Sequence, residues 1–255
     1  MSLKIVKPLE GCAWITGASS GIGAALALEL ASRGWQVAIS ARGKAELSAI
    51  AKGQKNITAF VCDVTDRQAM AATAAKIENK LGPIALGIMN AGIYLPTAFP
   101  DFDAEIFDRT FEVNLTGTVN GLAALMPRMV ARGQGHISLV SSVAGYGGLP
   151  TSAAYGASKA ALFNLGESMA MDLKASGVHV SMVAPGFVKT PATDVNPFPM
   201  PFIIEAEDAA RRIANGLAKG KPHISFPKRF SYLLRAINLL PRGLYVKLVG
   251  NSTQK

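Results

Sequence analysis

Between a short apolar run, Cys12-Ala13-Trp14-Ile15, and an Ala-rich helical pattern over 24–33 lies Thr16-Gly17-Ala18-Ser19-Ser20-Gly21-Ile22-Gly23. A chain that leaves a strand, turns on glycines and enters a helix has few folds open to it. Gly17 can take the tight turn, Gly21 lets a phosphate approach the backbone, and Gly23 lets the helix pack close on the sheet. The first helical N–H groups, backed by the positive end of the helix dipole, then face whatever lies over the turn. That is the form of a dinucleotide phosphate site, with Ser19, Ser20 and Ile22 beside the glycines. Alone, the GxxxGxG spacing also fits a plain strand-to-helix turn.

Further strands are expected over 36–41, 57–62 and 84–89, each after a helix-compatible stretch. The helix over 66–81 opens on Asp66 and stops before Gly82-Pro83. A long helical region, 104–132, leads to a strand over 136–140, a small-residue loop over 141–153, a helix over 154–176 and a strand over 178–183. Four prolines (Pro191, Pro197, Pro199, Pro201) mark an irregular flap at about 187–204. A helix over 206–219 and a strand over 223–226 complete the alternation. Strands alternating with helices imply right-handed crossovers and a parallel sheet covered on both faces: an α/β, Rossmann-type doubly wound domain over 1–227.

Composition agrees. The 255 residues are 49% hydrophobic, enough for one large core, and 17% charged, with no apolar run long enough to span a membrane. The N-terminus has lysines but no apolar segment before a cleavage site, so a cytoplasmic protein is expected. Cys12 and Cys62 fall in the first and third strands. With the second strand between them, two steps of about 4.8 Å exceed the roughly 7 Å limit for a bridge, so both are expected as buried thiols. The three histidines, at strand starts, lie at the edge away from ligands, and no metal site is expected.

Tyr155 and Lys159 stand four apart at a helix start, which puts both on one face. A phenol titrates near pH 10, and a neighbouring ammonium favours the phenolate, so the pair can act as a tuned acid and base. A bare YxxxK also describes a surface turn with a snorkelling lysine. Other motifs fall in register with it. Asn90-Ala91-Gly92 follows the fourth strand, Asn114 lies in the next helix, Ser142 precedes Tyr155, and Pro185-Gly186 with Thr190 follows the sixth strand. In order and spacing the chain resembles the short-chain dehydrogenases/reductases over roughly residues 10–227.

The resemblance implies roles. Tyr155 would give its proton to a carbonyl oxygen, or take it from an alcohol, while Lys159 lowers its pKa and binds the nicotinamide ribose. Ser142 would hold the substrate oxygen, and Asn114 would position a water that relays the proton. Gly17, Ser19, Ser20, Gly21, Ile22 and Gly23 would hold the pyrophosphate, with Asn90, Ala91 and Gly92 on the adenosine side. Asp63, with Val64, would accept from the adenine amine, although a turn or helix-cap aspartate is equally readable there. Pro185, Gly186, Val188 and Thr190 would hold the nicotinamide end.

The second strand ends in Ala41-Arg42 rather than in an acid that would accept from both ribose hydroxyls. A guanidinium suits a 2′-phosphate, so NADP(H) is expected over NAD(H), with an ordinary exposed loop arginine as the other reading of Arg42. The expected activity is hydride transfer to a carbonyl or from a secondary alcohol of an apolar small molecule, in a homodimer or homotetramer with no nucleic-acid partner. A 3-oxoacyl thioester reductase and a low-turnover dinucleotide-binding regulator remain as alternatives.

The charge is uneven. Residues 209–255 hold ten Lys and Arg and no acid; these exceed the net +9 of the chain, so residues 1–208 sum to −1. Phe230, Leu233, Leu234, Ile237 and Leu240 recur at helical spacing, and Leu244, Tyr245, Leu248 and Val249 do so after Pro241. The segment 228–255 is therefore expected as a basic amphipathic helical tail. Its apolar stripe would pack on the body or a second subunit, or lie on an anionic membrane as a peripheral contact.

Overall fold

The computed structural model describes residues 5–194 and 200–251. Strand β1 (Cys12–Thr16) turns into helix α1 (Gly21–Ser32), followed by β2 (Val37–Ala41), α2 (Lys44–Ala51), β3 (Ile57–Val61), α3 (Arg67–Leu81) and β4 (Ile84–Met89). The second half runs α4 (Ala104–Phe111), α5 (Gly117–Arg132), β5 (Gly135–Val140), α6 (Ala153–Asp172), β6 (Val178–Pro185), α7 (Ala206–Ala218), β7 (His223–Phe226), α8 (Lys228–Asn238) and α9 (Arg242–Asn251).

The seven strands are all parallel in the order β3-β2-β1-β4-β5-β6-β7, so the winding reverses between β1 and β4. A cleft opens at such a reversal, beyond the carboxyl ends of the strands. Helices cover both faces, and β1, β4 and β5 are buried at every position, whereas edge strand β3 alternates. Along β1, Ala13 and Ile15 join Leu26, Leu30, Ile213 and Leu217 beneath α1 and α7. Cys12 and Trp14 point the other way, toward Met70, Ile77, Leu125 and Leu162 beneath α3, α5 and α6.

Several expectations are corrected. The expected helical region 104–132 is helical throughout, but a π turn (Glu112–Thr116) sits between α4 and α5. The helix over 154–176 ends as α6 at Asp172 and closes in a 3₁₀ turn, Leu173–Ala175. Cys62 lies one residue past β3; both thiols are buried and free, with β2 between β1 and β3, and burial pushes the Cys12 thiol up to about 12. His136 and His179 stand at the amino ends of β5 and β6, but β7 is set forward so that His223 pairs beside Met182. Its ring reaches the loop after β5, so His223 does not share the far edge with the other two.

The flap closes on itself at its base, where Lys189 N–H donates to Ile204 (2.9 Å) and Ile204 N–H donates to Phe187 (3.2 Å). Pro197, Phe198 and Pro199 lie outside the described residues. The tail helices pack on the body through Phe230, Ser231, Leu234 and Tyr245, while Leu233 and Leu244 of the expected stripe face outward. Helix α8 is apolar on two faces rather than one.

Candidate active site

The glycine turn fits its neighbours because it lacks side chains. Gly17 sits at φ +65°, and a Cβ there would come within 2.5 Å of Ala91 Cα. A Cβ on Gly23 would meet the Gly17 carbonyl at 2.5 Å. Polar contacts bolt the turn to the segment after β4. Asn90 Nδ2 donates to the carbonyls of Thr16 and Gly17 at 3.0 Å, and Thr16 Oγ1 accepts from the amides of Asn90 and Ala91 at 3.1 Å. Asn90 thus has a scaffold task beyond lining the cleft. The Ser20 side chain does not cap α1, which leaves the first amides of that helix to an outside anion. These uncapped amides and the glycine-bared turn fit a pyrophosphate.

The cleft above this turn has a volume of about 600 Å³. It brings together the sequence-predicted Gly17, Ser19, Ser20, Gly21, Ile22, Gly23, Arg42, Asp63, Val64, Asn90, Ala91, Gly92, Pro185, Gly186, Val188 and Thr190 with Ser142, Tyr155 and Lys159. At its adenosine end Arg42 is exposed. Glu46, one turn into α2, folds its carboxylate back over Gly43 into the same end of the cleft. Asp63 closes an Asx turn, its Oδ1 accepting from the amide and the hydroxyl of Thr65, both at 2.9 Å. At the other end Thr193 Oγ1 donates toward the carbonyls of Val188 (2.8 Å) and Thr190 (2.9 Å) and accepts from Thr190 N–H, folding that segment into a turn beside the mouth.

Tyr155 and Lys159 share the inner face at the start of α6, as their spacing demands. The Lys159 side chain is buried, and its Nζ donates to the Val140 carbonyl (2.9 Å) and lies 5.6 Å from the Tyr155 ring centroid. Burial lowers its pKa to about 8. The Tyr155 phenol moves the other way: burial raises it, a hydrogen bond with the Ser142 hydroxyl holds it back, and Tyr94 adds to the rise. The expected lowering by Lys159 is not what sets the direction: burial does, and the ammonium is aimed at the Val140 carbonyl. Ser142 begins the 3₁₀ turn after β5, its Oγ accepting from Ala144 N–H (3.2 Å).

Asn114 does not line the cleft. It is fully buried in the π turn, where Oδ1 accepts from Ile93 N–H (2.7 Å) and Nδ2 donates to the Ile93 carbonyl and to Ser158 Oγ, both at 3.0 Å. A π turn carries one residue more than an α turn, and here it aims Asn114 at the loop after β4. With the amide group so engaged, its visible work is to clamp Ile93 to the start of α6.

Two groups at the site were not identified from sequence. Tyr94 meets the Tyr155 ring edge-on at 5.1 Å and 76°, a contact that local sequence pattern has no means to find. Behind Ser142, Arg235 of α8 donates to His223 Nε2 (2.6 Å) and stacks over Tyr146 (4.7 Å), whose hydroxyl lies 2.9 Å from the same nitrogen. Burial and the guanidinium lower the His223 pKa to about 4. The tail helix is thereby pinned to the loop that carries Ser142.

Comparison with known proteins agrees with this geometry. The family model described as short chain dehydrogenase matches residues 11–197. An uncharacterized oxidoreductase of Myxococcus xanthus is 37% identical over 237 residues, covering 91% of this chain and 94% of the relative. Human epidermal retinol dehydrogenase 2 is 30% identical over 241 residues, covering 89% and 77%. The crystal structure of a variant actinorhodin polyketide ketoreductase with NADPH superposes with a TM-score of 0.77 at 25% identity, covering 84% of this chain and 95% of that one. With its motifs gathered at one cleft and most of its length matched, the chain belongs to the short-chain dehydrogenase family of oxidoreductases.

Proposed function

We propose that this oxidoreductase transfers hydride between NADP(H) and the carbonyl or secondary alcohol of an apolar small molecule. The observation that carries the reading is the convergence of Ser142, Tyr155 and Lys159 beside the glycine turn in one cleft. The bound nicotinamide would supply or accept the hydride. A carbonyl oxygen held by Ser142 would take its proton from Tyr155. The raised phenol keeps that proton at neutral pH, which suits the reductive direction. The Lys159 ammonium, 5.6 Å from the ring centroid, would stabilise the phenolate left behind. Asn114 would serve by holding Ile93 and, through Ser158, the first turn of α6 in place.

Arg42 at the adenosine end supports NADP(H) over NAD(H), which remains the weaker alternative because Glu46 shares that end. The ketoreductase that superposes on this chain holds NADPH. Apolar side chains lining the cleft (Ile93, Tyr94, Val188) favour a substrate of low polarity.

The test is consumption of NADPH and NADH over a panel of ring ketones, retinoid carbonyls and acetoacetyl thioesters. The expected result is turnover of one class with NADPH, and a loss of about 10²- to 10⁴-fold in Tyr155→Phe. Unchanged turnover in that variant would remove Tyr155 from the chemistry. NADPH binding without turnover of any class would favour the regulator reading.

A further inference from the structure

The tail leaves one feature outside the catalytic reading. The inward face of α8 is occupied: Phe230 stacks on Phe187 and lies near Phe202 (6.3 Å), Ser231 is buried, and Arg235 reaches in to His223. On the opposite face Tyr232, Leu233 and Leu239 are open to solvent, Leu239 at 87% of its full exposure. On α9, Leu244 and Leu248 stand four apart on one side, each about half exposed. In a helix of this length residues 232, 233, 236 and 239 form one stripe, so this is a continuous apolar strip rather than scattered side chains.

Charge says what covers it. Lys228 and Arg229 occupy the first turn of α8, the end where the helix dipole disfavours positive charge, and neither forms an ion pair among the described residues. Lys247 is exposed on α9, and residues 209–255 contain no carboxylate at all. A second copy of this chain meeting the strip about a two-fold axis would set these bases against themselves. An anionic surface with an apolar layer beneath it satisfies both the strip and its flanking bases.

We infer that the outward face of α8 and α9 docks on an anionic lipid bilayer, with the leucines in the headgroup boundary and Lys228, Arg229 and Lys247 on the lipid phosphates. The helices lie in the plane of the membrane. No helix among the described residues is long and apolar enough to cross it. Because Phe230 packs against the segment after β6, docking would place one wall of the cleft near the lipid surface.

The experiment is co-sedimentation of the full chain with vesicles of phosphatidylcholine and phosphatidylglycerol in equal parts, against vesicles of phosphatidylcholine alone. It is read without turnover, so its failure and that of the catalytic reading are separate. Binding to the mixed vesicles at low salt is expected, weakened when salt near 1 M shortens the Debye length to about 3 Å. Lys228→Ala with Arg229→Ala should weaken partition about thirtyfold. Leu239→Asp with Leu248→Asp should weaken it at least about tenfold. All four side chains are exposed, so both variants should keep the wild-type thermal transition. No binding to the mixed vesicles at low salt overturns the inference. So does equal binding to both vesicle types, or binding that neither variant reduces. A dimer in sedimentation that Leu239→Asp splits, without vesicle binding, assigns the strip to a second copy instead.

Discussion

Lys159 carries a conflict between stability and chemistry that one substitution can expose. Its ammonium is buried and donates to the Val140 carbonyl, and its pKa falls from 10.5 to about 8. A lowered lysine pKa means that the unfolded chain holds the proton more tightly than the folded one. Burial therefore costs stability below pH 8, and the cost fades as pH rises from 8 to 10.5. Two and a half units correspond to about 3 kcal/mol, from which the lost hydrogen bond to Val140 must be subtracted. Lys159→Met should thus raise the urea midpoint at pH 7 while cutting kcat/KM by at least about 10²-fold. A midpoint that falls at pH 7 would mean that the ammonium is held by more than its burial suggests.

At the scale of elements, the π turn shows how a helix can be made to serve a loop. Asn114, itself fully buried, makes three hydrogen bonds from the turn, two to Ile93 and one to Ser158. Asn114→Ala leaves the Ile93 amide and carbonyl without these partners and should cost about 3 kcal/mol in guanidinium unfolding. A loss under about 1 kcal/mol would show that the clamp is dispensable. The alternation of strand and helix was legible in the sequence because buried parallel strands read as short apolar runs and because Asp66, Gly82 and the prolines punctuate them. Tyr155 and Lys159 were legible because helical spacing alone puts them on one face. The π turn was not, since one extra residue barely disturbs a periodicity spread over 104–132. The Tyr94 contact with Tyr155 joins residues 61 apart and that of Tyr146 with His223 joins residues 77 apart, which local pattern cannot reach. The forward set of β7 is a matter of register against β6, and it alone moved His223 from the far edge to the loop after β5.

Over the whole molecule the basic tail and the His136–His179 pair lie at opposite ends of the sheet. The basic tail lies by the cleft, while at the amino edge His136 is buried between β4 and β6, its Nε2 2.8 Å from Ser181 Oγ and its ring edge-on to His179 at 4.6 Å. Burial, with a smaller contribution from His179, lowers the His136 pKa to about 3 from 6.5. The unfolded chain therefore takes up a proton near pH 6.5 that the fold refuses, and stability falls as pH drops from 6.5 toward 3. Between pH 7 and pH 5 this one ring should remove about 2 kcal/mol, and His179, lowered by its own burial, adds with the same sign. Glu78 does not confuse that window. Burial raises the Glu78 carboxyl, but the Ile84 amide and the Arg132 and Arg128 guanidiniums outweigh it and hold it below 4.5, so its stabilising contribution persists at pH 5 and is lost only at lower pH. His136→Gln can keep a hydrogen bond to Ser181 without a group that titrates. Urea unfolding of wild type should lose about 2 kcal/mol or more from pH 7 to pH 5, and the variant should lose about 2 kcal/mol less over the same interval. If the two proteins lose stability equally, the acid sensitivity of the fold resides elsewhere and the buried ring is not its source.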